Sequence, residues 1–172
     1  QTSEDVGLEK CNLWLIDERL AFHDYLASDK TLSSMPITDS NENKEPDLCA
    51  LNVYDEPLLI SEGKKLPLAS LTIVEIKRPM RNGINSGEDK DPVEQVFGYL
   101  RRIRNGKATT ATGRPIPDSK DVPGFCYVIC DLTASMNERC KEIHDLTETS
   151  DKMGFFGYKK NLNCYIEVIS FD

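Results

Sequence analysis

Apolar residues recur at positions 13, 16 and 20 of the stretch Asn12–Ser28, and positions 15, 22 and 26 widen the stripe. That spacing, in a segment dense in helix formers, predicts an amphipathic helix. Asp29–Glu45 is rich in Ser, Thr, Asn, Asp and Pro and reads as a loop. Pro46–Tyr54 alternates as a strand does, and Asp55-Glu56-Pro57 ends it. Leu68–Ile76 is almost continuously apolar and β-branched, the pattern of a central strand covered on both faces, and Arg78-Pro79 stops it.

The clearest helix start comes after a polar loop over Met80–Lys90. Asp91 is suited to the N-cap, Pro92 to the first helical position, and Glu94 falls three residues after the cap. Val93, Val96, Phe97, Leu100 and Ile103 form the buried stripe, and Asn105-Gly106 supplies the stop. Lys107–Pro123 reads as a loop, Gly124–Leu132 as a buried strand, Ser135–Thr149 as a helix and Asn163–Phe171 as a last strand. The order helix, strand, strand, helix, strand, helix, strand predicts one α/β domain over residues 1–172 with a mixed central sheet.

Composition agrees with a globular chain: 172 residues, 39% hydrophobic and 29% charged, with no apolar run near the roughly 20 residues that cross a bilayer. Gln1–Lys10 is acidic and polar, unlike a secretory signal, and the first residue is not Met, which suggests an excised piece of a longer protein. The six cysteines, at 11, 49, 126, 130, 140 and 164, show no C-x-x-C spacing, and neither His23 nor His144 lies near a cysteine pair. Reduced, buried thiols in a cytoplasmic protein are expected. Neither histidine is near a G-x-S-x-G turn, so a serine or cysteine hydrolase has little support.

The chemistry concentrates where the central strand ends. Glu75 and Lys77 are two apart and point to one face of that strand. Alone, E-x-K reads as a solvated ion pair at a strand end. If the strand beginning at Pro46-Asp47 pairs with it, Asp47 approaches Glu75, and a hard divalent cation relieves the repulsion of two converging carboxylates. Gln95, Tyr99 and Arg102 form a polar stripe on the following helix, and Asp17 and Glu18 lie within the first predicted helix.

This ordered series resembles the PD-(D/E)xK nuclease superfamily: helical Glu18, Pro46-Asp47, Glu75-Ile76-Lys77 and then Gln95-Val96-Phe97-Gly98-Tyr99, the Q-x-x-x-Y helix being typical of the RecB-type branch. The resemblance implies a restriction-endonuclease-like α/β fold. It implies Mg²⁺ or Mn²⁺ held by Asp47, Glu75 and the main-chain carbonyl of Ile76, with Glu18 sharing a metal, and Asp17 and Glu9 as alternatives to Glu18. Lys77 would orient the attacking water, and Gln95 and Tyr99 would contact the substrate backbone. The implied activity is metal-dependent phosphodiester hydrolysis, of DNA first, within a larger defence or repair protein. The alternative is a catalytically silent domain for nucleic-acid binding or for regulation beside an ATPase.

The formal charge of −8 argues against nucleic acid only as an average. Lys77, Arg78 and Arg81, then Arg101, Arg102, Arg104, Lys107 and Arg114, lie in two acid-free segments totalling +8. The remaining 13 bases oppose 29 acids, leaving −16 elsewhere. The positive segments flank the candidate site, so Arg78, Arg81 and Arg102 are expected to meet phosphates, while acids beyond a Debye length of about 8 Å matter little. Phe155, Phe156 and Tyr158 beside Lys159 and Lys160 read as core or loop anchors, with base stacking as the alternative.

Overall fold

The computed structural model describes residues 23–53, 69–79, 87, 90–106, 109–110, 112–113, 115–116 and 119–171. Strand β1 (Tyr25–Ser28) pairs antiparallel with β2 (Leu48–Val53), and β2 pairs antiparallel with β3 (Ala69–Ile76). Helix α1 (Pro92–Asn105) then crosses over to β4 (Gly124–Ile129), which runs parallel to β3. A short helix α2 (Ala134–Glu138) leads to β5 (Thr147–Glu148), β6 (Gly154–Lys159) and β7 (Cys164–Ile169). Strand β7 lies parallel to β4 and antiparallel to β6, giving a seven-stranded mixed sheet in the order β1-β2-β3-β4-β7-β6-β5. The fold is α/β, as the pattern of elements predicts.

Helix α1 covers one sheet face, and its Val96, Leu100 and Ile103 join Leu71, Ile73, Cys126, Val128 and Ile166 in the main core. The other face carries Ala50, Val74 and Tyr127, flanked by half-buried Leu48, Phe125, Ile129, Tyr165 and Ile169. Seven of the eight β3 residues are buried, the two-sided burial expected of its unbroken apolar run. Among the described residues, no helix is long and apolar enough to cross a membrane.

Several expectations need correction. The helix expected over Asn12–Ser28 fails at its end: Tyr25–Ser28 is a strand, because pairing with the edge of β2 outweighs a weak helical preference. Residues 12–22 lie outside the described residues. The helix expected over Ser135–Thr149 stops at Glu138, passes into a π turn over Arg139–Ile143 and ends where Asp145 takes a φ of 45°. Thr149 lies beyond β5. Strand β6 was not anticipated; on it Phe155 is fully buried, whereas Phe156 and Tyr158 are exposed on the opposite side. Asp91 caps α1 by accepting from the Val93 and Glu94 amides, but Glu94 makes no capping box. It accepts instead from the Gly87 amide and from Arg139.

Candidate functional site

The site forms at the C-terminal end of β3, where its parallel neighbour lies on one side and its antiparallel neighbour on the other. Crevices at strand ends beside such a change of direction are common ligand sites in open α/β sheets. The register pairs Leu48 with Val74, so extending it by one residue sets Asp47 opposite Glu75. The Ile76 amide donates to Asp47 Oδ2 at 2.5 Å, which ties the aspartate to the end of β3. Alternation along β3 then sends Glu75 to the α1 face and leaves the Ile76 side chain exposed on the other.

Glu75 is only 4% exposed and Lys77 9%. The Lys77 amide donates to the Ile129 carbonyl at 2.8 Å, fixing the backbone one residue past the strand. Its Nζ donates to Glu75 Oε1 and, at 2.7 Å, to Gln95 Oε1. The Gln95 amide donates to the Tyr99 hydroxyl at 2.8 Å, and that hydroxyl donates to the Glu45 carbonyl at 2.8 Å. A continuous polar chain therefore runs from Glu75 through Lys77, Gln95 and Tyr99 to the loop two residues before Asp47. Glu75, Lys77, Gln95 and Tyr99 thus lie together, with Asp47 opposite Glu75 by extension of the register.

Burial shapes the electrostatics of this group. It raises the Glu75 carboxyl above the ordinary range, the Asp47 charge adds to that, and Lys77 offsets part of it. Burial also pushes the Tyr99 hydroxyl up to about 12, with Glu75 and Asp47 acting in the same direction. Glu75 Oε2 is buried and has no hydrogen-bond partner. A buried carboxylate oxygen without a partner is costly.

Glu18 and Arg81 lie outside the described residues, as do the alternatives Glu9 and Asp17. Arg78 is exposed just past β3. Arg102, half-buried on α1, borders a separate depression with Ser40, Asn41, Glu42, Asn105 and Gly106. The basic patch is thinner than charge counting suggests. Lys77 is engaged with Glu75, and Arg104 is buried, donating to the carbonyls of Val122, Leu162 and Asn163. Its guanidinium holds the α1–β4 connection to the start of β7 and is not available to a phosphate. Lys107 and Arg114 lie outside the described residues.

A second polar cluster escaped the sequence reading. Ligand atoms of Asp91, Glu94 and His144 all lie within 4.8 Å of one another. His144 Nε2 is 2.7 Å from Asp91 Oδ2, and Arg139 binds both Asp91 and Glu94, the latter at 2.8 Å. The π turn brings Arg139 and His144 to the same carboxylate, a juxtaposition that no short spacing encodes. Three groups of this kind can hold a metal ion, but Arg139 already supplies the positive charge here. The five described cysteines are buried free thiols, and burial pushes Cys49, Cys130 and Cys140 up to about 12, which makes them poor nucleophiles. Cys11 lies outside the described residues.

No protein-family model matches the chain, and no curated protein or solved structure matches it significantly.

Proposed function

We propose that the chain is a metal-dependent nuclease domain, of restriction-endonuclease-like fold, that hydrolyses phosphodiester bonds in DNA. The observation that carries this reading is the hydrogen bond from the Ile76 amide to Asp47, which holds that carboxylate at the end of β3 next to Glu75, beside a Lys77–Gln95–Tyr99 chain. The residues fit a hard divalent cation: two opposed carboxylates, one with a buried oxygen lacking any partner, form the oxygen-rich donor set such ions take. Asp47, Glu75 and the Ile76 carbonyl are the proposed ligands. A bound Mg²⁺ or Mn²⁺ would neutralise the phosphate and lower the pKa of a coordinated water.

Lys77 has three N–H donors, of which Glu75 and Gln95 take two. The third is the donor proposed to hold the attacking water. As an ammonium it orients that water and offsets the charge that grows on the phosphate. Gln95 fixes the Lys77 head, and Tyr99 fixes Gln95 against the Glu45 carbonyl. With its hydroxyl pushed up to about 12, Tyr99 remains a neutral donor and positions its neighbours without exchanging a proton. A silent, regulatory domain is the second reading, and the direct Lys77–Glu75 pair favours it, because it already compensates one carboxylate.

The test is incubation of the protein with linear and circular DNA in Mg²⁺ or Mn²⁺. We expect cleavage that falls by about a hundredfold or more in Glu75→Ala and Lys77→Ala, as loss of a key transition-state contact does. Cleavage that survives both substitutions overturns the site. A folded protein that binds DNA in Mg²⁺ without cutting it supports the second reading.

A further inference from the structure

The depression bordered by Arg102 is built by two elements that lead to the candidate site. Gln95, Tyr99, Arg102 and Gly106 fall within about 60° of one another at 100° per residue, so they share one stripe of α1 and its C-cap. The loop over residues 38–47 runs along this stripe in the opposite direction. At the helix end the Asp39 amide donates to the Gly106 carbonyl at 2.7 Å, and Thr38 Oγ1 donates to the Ile103 carbonyl at 3.3 Å. Further back the Glu45 carbonyl accepts from Tyr99, and two residues on Asp47 meets β3. A side chain at Gly106 would put its Cβ 2.3 Å from Thr38 Oγ1, so the close approach of loop and helix requires glycine there. The loop is also pinned from outside by the Ser33 amide, which donates to the Glu42 carbonyl at 2.9 Å, and within itself by the Glu42 amide, which donates to Ser40 Oγ at 3.3 Å.

The depression encloses about 320 Å³, at the small end of the roughly 300–1,000 Å³ of ligand pockets, and it is open to solvent. The residues that line it, Ser40, Asn41, Glu42, Arg102, Asn105 and Gly106, include both donor-bearing and acceptor-bearing types. A site for phosphate alone would exclude the carboxylate, which repels an anion. A nucleobase edge, with amino donors beside carbonyl and ring-nitrogen acceptors, needs this mixture. Its Watson–Crick edge is presented only when the base is unpaired. Arg102 lies seven residues beyond Gln95, about 10 Å along the axis at 1.5 Å per residue.

We propose that this depression is a subsite for one unpaired nucleobase of the strand whose phosphate lies at Asp47 and Glu75, so that the substrate is a single strand or a frayed end. The inference rests on the nuclease reading for its substrate but not for its test. Glu42 accepts the base amino group, and Asn105 and Arg102 donate to its carbonyl or ring nitrogen.

The test measures anisotropy of a short labelled single strand of mixed sequence, the same strand with its bases removed, and a duplex, all in Ca²⁺ to isolate binding. Wild-type protein is expected to bind the base-bearing strand about tenfold more tightly than the abasic strand or the duplex. Glu42→Ala and Asn105→Ala, both at exposed positions, are expected to remove most of that preference without changing the thermal midpoint. Equal affinity for the base-bearing and abasic strands, a preference for duplex, a preference kept by both variants, or no binding overturns the subsite. Lys77-dependent cleavage without a base preference sinks the subsite and keeps the nuclease. A base preference without cleavage does the reverse.

Discussion

Tyr99 shares the helix stripe that carries Gln95, yet it is 2% exposed and its hydroxyl is hydrogen-bonded as both donor and acceptor. Removing the hydroxyl leaves the Gln95 amide and the Glu45 carbonyl without their partner in a part-buried setting. Tyr99→Phe is therefore expected to lower stability by about 1–2 kcal/mol in urea melts, and to slow cleavage by loosening Lys77 through Gln95. Unchanged stability and unchanged cleavage would show that the chain from Lys77 to Glu45 does not hold the site. At this scale Asp47, Glu75 and Lys77 were legible in the sequence, because strand alternation and one pairing register are enough to oppose two carboxylates. The burial of Tyr99 was not. A helical wheel gives an angle around the axis but not which loop lies over it, and residues 38–47 supply that cover. Arg104 misled for the same reason: its charge is visible in sequence, while the three carbonyls that surround it come from two distant segments.

The start of α1 joins local and tertiary interactions in one carboxylate. Asp91 Oδ1 accepts from the Val93 amide at 2.8 Å and from the Glu94 amide at 3.3 Å, while Oδ2 takes Arg139 and His144. Burial raises the Asp91 carboxyl, but His144 and Arg139 outweigh it and hold it below its ordinary value of 3.8. With the folded value below the unfolded one, this stabilisation is complete above about pH 4. It is lost as pH falls through the depressed folded value. Asp91→Asn keeps an N-cap acceptor and removes the charge, so it is expected to cost about 3 kcal/mol at pH 7, with the deficit shrinking as pH drops below about 4. Urea melts of the two proteins at several pH values check this, and a deficit independent of pH contradicts it. The N-cap was readable from Asp91-Pro92 because capping is local. The partners of Asp91 were not, since they depend on a π turn more than 45 residues later. Local pattern likewise failed for β1, which is set by a partner strand.

For the molecule as a whole, the mixed sheet places the end of β3 between a parallel and an antiparallel neighbour, with α1 above it and the loop over residues 38–47 beside it. The α/β class and the order of β2, β3, α1 and β4 followed from periodicity, because these are long and strongly patterned. Strands β5 and β6 did not, because Gly154 and Gly157 weaken the alternation and β5 has two residues. Of the five described cations in the positive segments, Lys77 and Arg104 are inside the protein, which a count of charges along the sequence does not reveal.

The central claim is that Asp47 and Glu75 form the divalent cation site. Calorimetric titration of Mn²⁺ into wild-type protein, Asp47→Asn, Glu75→Gln and His144→Ala tests it most directly. The expected result is one site, weakened about tenfold or more by each carboxylate change and unaltered by His144→Ala. Its affinity should rise with pH above the ordinary carboxylate range, because burial raises the Glu75 carboxyl and its proton must leave before it can ligate. Binding that ignores both carboxylate changes, or that disappears in His144→Ala, would contradict the account.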